Sequence, residues 1–304
     1  MTDATITESV FQPEENDLDQ RVALLVEYCG SGFHGCQYQP NQPTVQHEIQ
    51  VALGQLNLQT SAVSFASRTD SGVHALGQVA HFDIAHNTLA NIPDLASALN
   101  AVLPQTVSVR AVNSRVTRAF NSRRDTAAKW YRYKIYNCIH RSVWAASNAA
   151  LHYRPSLDVE RMSQAASLLL GEHDFTSFKD FGSQVIDDIC RVEYINVDRE
   201  GDFIIFDIAA DRFLYKMVRN IVGQLMVIGR ASNPHPPEAI IKVLTERDRR
   251  KAAPSAPPDG LTLMAIQYKS PFNLFENDVY VKQFKNNLKS MESLHNENLF
   301  RKAS

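Results

Sequence analysis

A chain of 304 residues with 44% hydrophobic and 21% charged residues is ordinary globular material, long enough for one large core or two medium ones. No apolar run approaches the roughly 20 residues that span a bilayer, and the N-terminus MTDATITESVFQPEEND lacks the basic flank and apolar stretch of a secretory leader. These features predict a cytoplasmic protein with no membrane contact. The net charge of −2 argues against a nucleic-acid ligand only until the charges are located, because Asp3, Glu8, Glu14, Glu15, Asp17 and Asp19 precede any Lys or Arg and leave 31 bases against 27 acids from Arg21 onward. Residues 1–20 therefore read as an acidic, disordered tail ahead of a mildly basic body. Cys29, Cys36, Cys138 and Cys190 are dispersed, with no CxxC pair and no histidine at metal-ligand spacing, so they read as reduced thiols and no metal is expected.

RVALLVEY (21–28) has the content of a buried strand, and Pro43 opens a helix with Val45, Ile49, Ala52 and Leu56 on one face. SAVSFA (61–66) and GQVAHFDI (77–84) read as strands around the loop SRTDSGVHAL, followed by a helix from about Pro93 with Leu95, Leu99 and Val102 on one stripe and a strand at TVSVRAV (106–112). The order is β-α-β-β-α-β. It recurs: KWYRYKIYN (129–137) as strand, DVERMSQAASLLL (158–170) as amphipathic helix, ICRVEYINV and DFIIFDIAA as strands, RFLYKMVRNIVGQLMVIG (212–229) and PPEAIIKVLTE as helices, and LTLMAIQY (261–268) as closing strand. The expected architecture is α+β, two tandem split-βαβ halves (21–114 and 115–270) whose antiparallel sheets flank a central cleft, then a polar, partly mobile tail over 271–304.

Arg110, Arg115, Arg118, Arg123, Arg124, Lys129, Arg132 and Lys134 cluster at the junction of the halves, interrupted only by Asp125; they form either a solvated basic loop or a phosphate-binding track. In Arg68-Thr69-Asp70-Ser71-Gly72, Ser-Gly supplies turn chemistry, and extended backbone puts Arg68 and Asp70 on one side, where an ion pair is allowed. Such a pair would keep the carboxylate charged, as a nucleophile requires; on spacing alone a turn-forming aspartate is the stronger reading. Arg212, Lys216 and Arg219 fall on one face of the fourth predicted helix, a basic stripe that is either functional or merely solvated. His173 and Asp174 lie beside Phe175 and Phe178 and read as a packed structural turn.

SRTDSGVHALGQVAHF is very similar to the signature of the tRNA pseudouridine synthase A family. KWYRYKIYN, LLGEHDFTSF, FLYKMVRNIVGQLM and APPDGLTLMAI resemble further family blocks in the same order, together spanning residues 22–268. The resemblance implies the pseudouridine synthase fold and a cofactor-independent isomerase that converts uridine to pseudouridine at positions 38, 39 and 40 of the tRNA anticodon arm. It also implies a homodimer. Carried over by position, it makes Asp70 the nucleophile, Arg68 the residue that helps displace the target nucleotide, Tyr131 the aromatic ring under the flipped uracil, Arg219 the partner of Asp70, and Leu263 an apolar wall. Read from its strand alone, Tyr131 is more readily a core tyrosine beside Tyr133 and Ile135. Cys29-Gly30 and Gly35-Cys36-Gln37 depart from the family's Asp-Gly and Gly-Trp-Gln, which bears on packing or an RNA contact, and Thr262 stands where an aromatic is frequent, which bears on the polarity of the pocket edge. Two other readings share features with this one: a non-catalytic RNA-binding module, which leaves Asp70 without a task, and an N-glycoside hydrolase, which would release free uracil.

Overall fold

The computed structural model describes residues 20–290 apart from 87, 148–150, 183–186 and 233, so the acidic tail expected over residues 1–20 lies, but for Gln20, outside the described residues. The first half contains β1 (Gln20–Tyr28), α1 (Val45–Gln55), β2 (Ser64–Phe65), β3 (His74–Ile84), α2 (Leu95–Val102) and β4 (Val107–Val116). The second contains β5 (Thr126–Tyr136), α3 (Val143–Ser147), β6 (Leu151–His152), α4 (Val159–Ser167), β7 (Gly171–Asp174), β8 (Ile189–Glu200), β9 (Phe203–Ala210), α5 (Met217–Ile228), α6 (Ala239–Glu246) and β10 (Leu261–Tyr268).

Side-chain caps start three helices where the sequence supplies an oxygen acceptor: Thr44 accepts from the His47 amide, Asp94 from Ser97 and Asp158 from Arg161. α1 buries Val45, Ile49, Ala52 and Leu53; Leu56, expected on that stripe, is the C-cap residue and only half-buried. Likewise α2 buries Leu95 and Leu99 but ends at an exposed Val102. The strand expected over 61–66 shrinks to a two-residue ladder, Ser64↔His81 and Phe65↔Ala80, flanked by single backbone bonds from Ser61 to Asp83 and from Ala66 to Val79.

Each half has the same strand order. β4-β1-β3, with β2 beside β3, matches β10-β5-β9-β8, so the split-βαβ repeat is realised twice. The halves do not keep separate sheets: β10 pairs antiparallel with β5 and parallel with β3, at Thr262↔His74 and Leu263↔Ala75, giving one ten-stranded sheet. A two-residue parallel ladder is all the backbone pairing at this seam. Its close approach is possible because a Cβ at residue 77 would lie 2.4 Å from the Met264 carbonyl oxygen, which only Gly77 avoids.

The two faces of the sheet are covered differently. One carries α1, α2 and α4–α6 over an apolar core that runs through both halves, from Leu24 and Phe82 to Tyr133, Phe206 and Leu225. Each such side chain contributes about 1.5–3 kcal/mol when fully buried. The segment from Pro271, expected to be a polar tail, instead forms a helix, α7 (279–290), across the other face. Val281 and Phe284 are buried there against Ala128, Trp130, Ala209, Met264 and Ala265. Arg110 of β4 fixes the start of this segment, with Nη2 2.6 Å from Asp278 and the guanidinium 4.9 Å from the Tyr280 ring centroid. Among the described residues no helix is long and apolar enough to cross a membrane, and no cluster of three metal-ligating side chains exists.

Candidate active site

Asp70 sits in the turn between β2 and β3, with Thr69 turned inward and Arg68 outward. The loop is short of its own secondary structure, so its polar groups are met from outside. Tyr28 of β1 places its hydroxyl 2.7 Å from Thr69 Oγ1. Gln78 of β3 donates Nε2 to the Ser67 carbonyl at 2.8 Å, and its Oε1 accepts from the Ser67 amide at 3.2 Å. Cys36 is fully buried against the same turn: Sγ accepts from the Thr69 amide at 3.2 Å and lies 3.4 Å from the Ser67 carbonyl, while its own amide donates to the Thr69 carbonyl at 3.2 Å. Burial raises the thiol's pKa, so it keeps the proton it gives to Ser67. Ser71 Oγ and the Gly72 amide both donate to the Phe33 carbonyl. Gly72 adopts φ +81°, the left-handed geometry that the turn before β3 demands.

The carboxylate's ionic partner comes from the other half. Arg219, in the first turn of α5, reaches Asp70 Oδ2 with Nη1 at 3.1 Å and anchors its Nε on the Ala256 carbonyl at 2.7 Å. The neighbouring Asn220 donates to the Phe178 carbonyl at 2.7 Å and accepts from Arg249 at 2.9 Å and from Ser255 Oγ. One turn on, a Cβ at residue 223 would lie 2.1 Å from the Pro254 carbonyl oxygen, so glycine is what lets the 254–260 loop run against α5. Arg-Asn-x-x-Gly is thus a unit: one residue faces Asp70 and the others hold the loop that holds Arg219.

The basic stripe expected on this helix does not exist. α5 begins only at Met217, with Lys216 at φ 56° before it, so Arg212 and Lys216 precede the helix and pair elsewhere, with Asp187 at 3.0 Å and Asp180 at 2.7 Å. The ion pair allowed between Arg68 and Asp70 is also replaced: Arg219 occupies the carboxylate, and Arg68 is exposed with no ion pair among the described residues.

Tyr131 on β5 is buried, and its hydroxyl lies 2.8 Å from Ser67 Oγ, three residues from Asp70. Phe213 packs edge-on against the ring at 5.0 Å. Burial, the largest influence, raises the phenol's pKa, so it is protonated at neutral pH. Leu263 is directly opposite Tyr131 in the β5–β10 ladder and fully buried, so the two share a face. Thr262, opposite Arg132, lies on the other face by strand alternation and does not border this pocket as expected. On that other face Arg132 holds Asp207 through two 2.9 Å contacts, and Trp130 Nε1 donates to the same carboxylate at 2.8 Å. His173 and Asp174 are structural as read: the ring contacts the Leu170 carbonyl at 2.9 Å, and the carboxylate caps Thr176 and pairs with Arg247 at 2.9 Å.

Asp70, Arg219, Tyr131 and Leu263 therefore converge at the seam where β3, β10 and β5 meet, with Arg68 at its outer rim. Sequence reasoning missed Ser67, Phe213 and the thiol of Cys36; Ser67 stands inside the SRTDSG block and Cys36 at a family departure, which were the available signals. A family model described as tRNA pseudouridine synthase matches residues 24–121 and 165–269. This chain belongs to the tRNA pseudouridine synthase family. It is 40% identical over 256 residues to the tRNA pseudouridine synthase A of Psychromonas ingrahamii, covering 84% of this chain and 95% of that one. The proteins of the same name from Escherichia fergusonii (42% over 257 residues, 84% and 92%) and Methylococcus capsulatus (39% over 260 residues, 86% and 94%) are similarly related. The matched segments include both sides of the site, the Asp70 turn and the Arg219 helix, and the Leu263 strand that joins them.

Proposed function

We propose that this chain, an isomerase of the tRNA pseudouridine synthase family, converts uridine to pseudouridine at positions 38, 39 and 40 of the anticodon arm, with Asp70 as the attacking carboxylate. The observation that carries the reading is the Asp70–Arg219 contact of 3.1 Å beside a buried tyrosine. In the reaction the C1′–N1 glycosidic bond breaks, the uracil turns while held, and C5 bonds to C1′; the C5 proton is lost and N1 gains one, so no cofactor is required. Asp70 supplies the nucleophile, and Arg219 supplies a fixed positive charge at that nucleophile. A base reached by an enzyme must leave the stack, at a cost of a few kcal/mol that a ring platform partly returns. Tyr131 and Leu263 are the platform and wall for it, and Arg68 at the rim fills the place the base vacates. Because the Tyr131 phenol holds its proton, it relays the C5 proton only in a chain in which Ser67 Oγ, 2.8 Å away, accepts the phenol proton and releases its own hydroxyl proton to solvent. A homodimer and a cytoplasmic site of action complete the reading, the first measurable by light scattering of the purified chain.

The deciding experiment is tritium release from tRNA labelled at uridine C5, by wild type and by Asp70→Asn, with both folds compared by circular dichroism. Release by the wild type, lost from transcripts bearing cytidine at 38, 39 and 40, is expected, with none above background for Asp70→Asn. A folded wild type that binds tRNA and releases nothing would return the chain to the RNA-binding module; free uracil among the products would make it a hydrolase.

A further inference from the structure

About half of the lysines and arginines among the described residues are held by carboxylates. Arg21, Arg110, Arg124, Arg132, Arg161, Lys179, Arg212, Lys216, Arg219, Arg247, Arg249 and Arg250 all contact carboxylates within 4 Å. Arg68 and Arg123 do not, and they line one cavity of about 260 Å³ behind the catalytic turn, with Cys36, Gln37, Gln46, Asn121 and the β2 segment 62–65. No carboxylate lines it. Its two anchored amide side chains are already oriented. Gln46 Oε1 accepts from the Tyr38 amide at 2.8 Å, and Asn121 Oδ1 accepts from the amides of Arg123 and Arg124, both at 3.0 Å. Asn121 Oδ1 is thereby filled and Gln46 Oε1 half filled, so both side chains chiefly present their NH2 donors to the cavity. Two guanidinium forks and two amide donors with no acid among them form a lining made for an anion with several acceptor oxygens. A nucleobase edge, which also presents N–H donors, would meet far fewer acceptors than donors in this lining.

We propose that this cavity is a phosphodiester subsite that seats the RNA backbone phosphate next to the target uridine, with Arg123 and Arg68 as its charged partners and Gln46 and Asn121 as neutral donors. Arg68 belongs at once to the cavity and to the Asp70 turn, so a phosphate held here fixes where the displaced nucleotide begins. The volume suits one sugar-phosphate unit, below the 300–1,000 Å³ of typical small-molecule sites. This inference rests on the tRNA-modifying reading above.

The test uses the full chain and an anticodon-arm RNA hairpin in which each linkage flanking the target uridine is replaced in turn by an uncharged methylphosphonate. Affinity is measured by fluorescence anisotropy at several salt concentrations for wild type, Arg123→Gln, Gln46→Ala and Lys242→Ala, the last altering an exposed cation of α6. Arg123→Gln is expected to weaken binding about tenfold and to flatten the slope of log K against log salt by about 0.7. One methylphosphonate position should weaken wild type by a similar factor and Arg123→Gln hardly at all. Pseudouridine formation by Arg123→Gln should show a raised KM and an unchanged kcat. Equal losses at every linkage for wild type and Arg123→Gln, or a slope change as large in Lys242→Ala, would overturn the subsite while pseudouridine formation by wild type left the enzyme reading standing. Competition by inorganic phosphate that depends on Arg123, with hairpin binding indifferent to that residue, would assign the cavity to a free anion and equally overturn it.

Discussion

The two halves of the molecule contribute to one site by opposite means. The N-terminal half presents Asp70 on a loop and immobilises that loop with side chains from β1, β3 and the 29–44 segment. The C-terminal half presents Arg219, Tyr131 and Leu263 on a helix and two strands, where regular backbone already fixes them. The difference shows that rigidity around a site carboxylate does not need regular structure, provided the buried backbone donors and acceptors nearby find partners elsewhere in the chain. It also means that neither half contains a site: the carboxylate and its guanidinium meet only across the seam.

The largest effect should come from parting the halves on the C-terminal side. Gly223→Val places atoms within van der Waals overlap of the Pro254 carbonyl and should cost about 2–4 kcal/mol in urea denaturation, with turnover falling further than stability because Arg219 loses its anchor on Ala256. Turnover that tracks the folded fraction alone would show that the 254–260 loop does not position Arg219. Next in size, Tyr131→Phe should reduce pseudouridine formation about 10²-fold, and Ser67→Ala by several-fold in the same direction. A Tyr131→Phe enzyme at full rate would reduce the tyrosine to a packing role, the reading its strand alone allows.

In the N-terminal half a buried histidine couples its titration to folding. Burial, then Arg21, lowers the pKa of His81 to about 4, and the ring lies 2.8 Å from Ser122 Oγ. The unfolded chain takes up this proton near pH 6.5, the folded chain only near 4, so stability is complete above pH 6.5 and declines as pH falls between them, by up to roughly 3 kcal/mol. Thermal melts across that range should show a shallower acid decline for His81→Gln; identical slopes would remove His81 as the cause. The smallest effect is on α1, where a Cβ at residue 54 meets nothing within 4 Å: Gly54→Ala should stabilise by about 0.5–1 kcal/mol and leave turnover unchanged.

Much of this was legible in the sequence, and what was not had physical causes. β1 is read from its β-branched and aromatic content, β5 and β10 as strands of the repeating order, α4 from its amphipathic pattern, and the duplicated order from their succession. The start of α5 was misplaced because RFLYKMVRN has helical periodicity, while Arg212 and Lys216 are drawn to Asp187 and Asp180 outside the helix. α7 was missed because its core contacts are few, chiefly Val281 and Phe284, within a polar segment. The single sheet was not legible, since a two-residue parallel ladder leaves no pattern of its own. At the site, local sequence placed Arg68 and Asp70 together on one side but could not show that a cysteine 33 residues before Thr69 would reach its amide.

The seam strand has a consequence for synthesis. β10 completes the sheet, yet it is made about 180 residues after β3 has left the ribosome, an interval of roughly 10–40 s at ordinary elongation rates. Throughout that time the start of β3, at His74 and Ala75, lacks its partner, while the 60–66 segment covers the strand from Val79 to Ile84, and an open edge invites pairing with another nascent chain. Until β10 arrives, the seam is therefore the stretch of sheet at which chains crowded on one polysome meet an open edge.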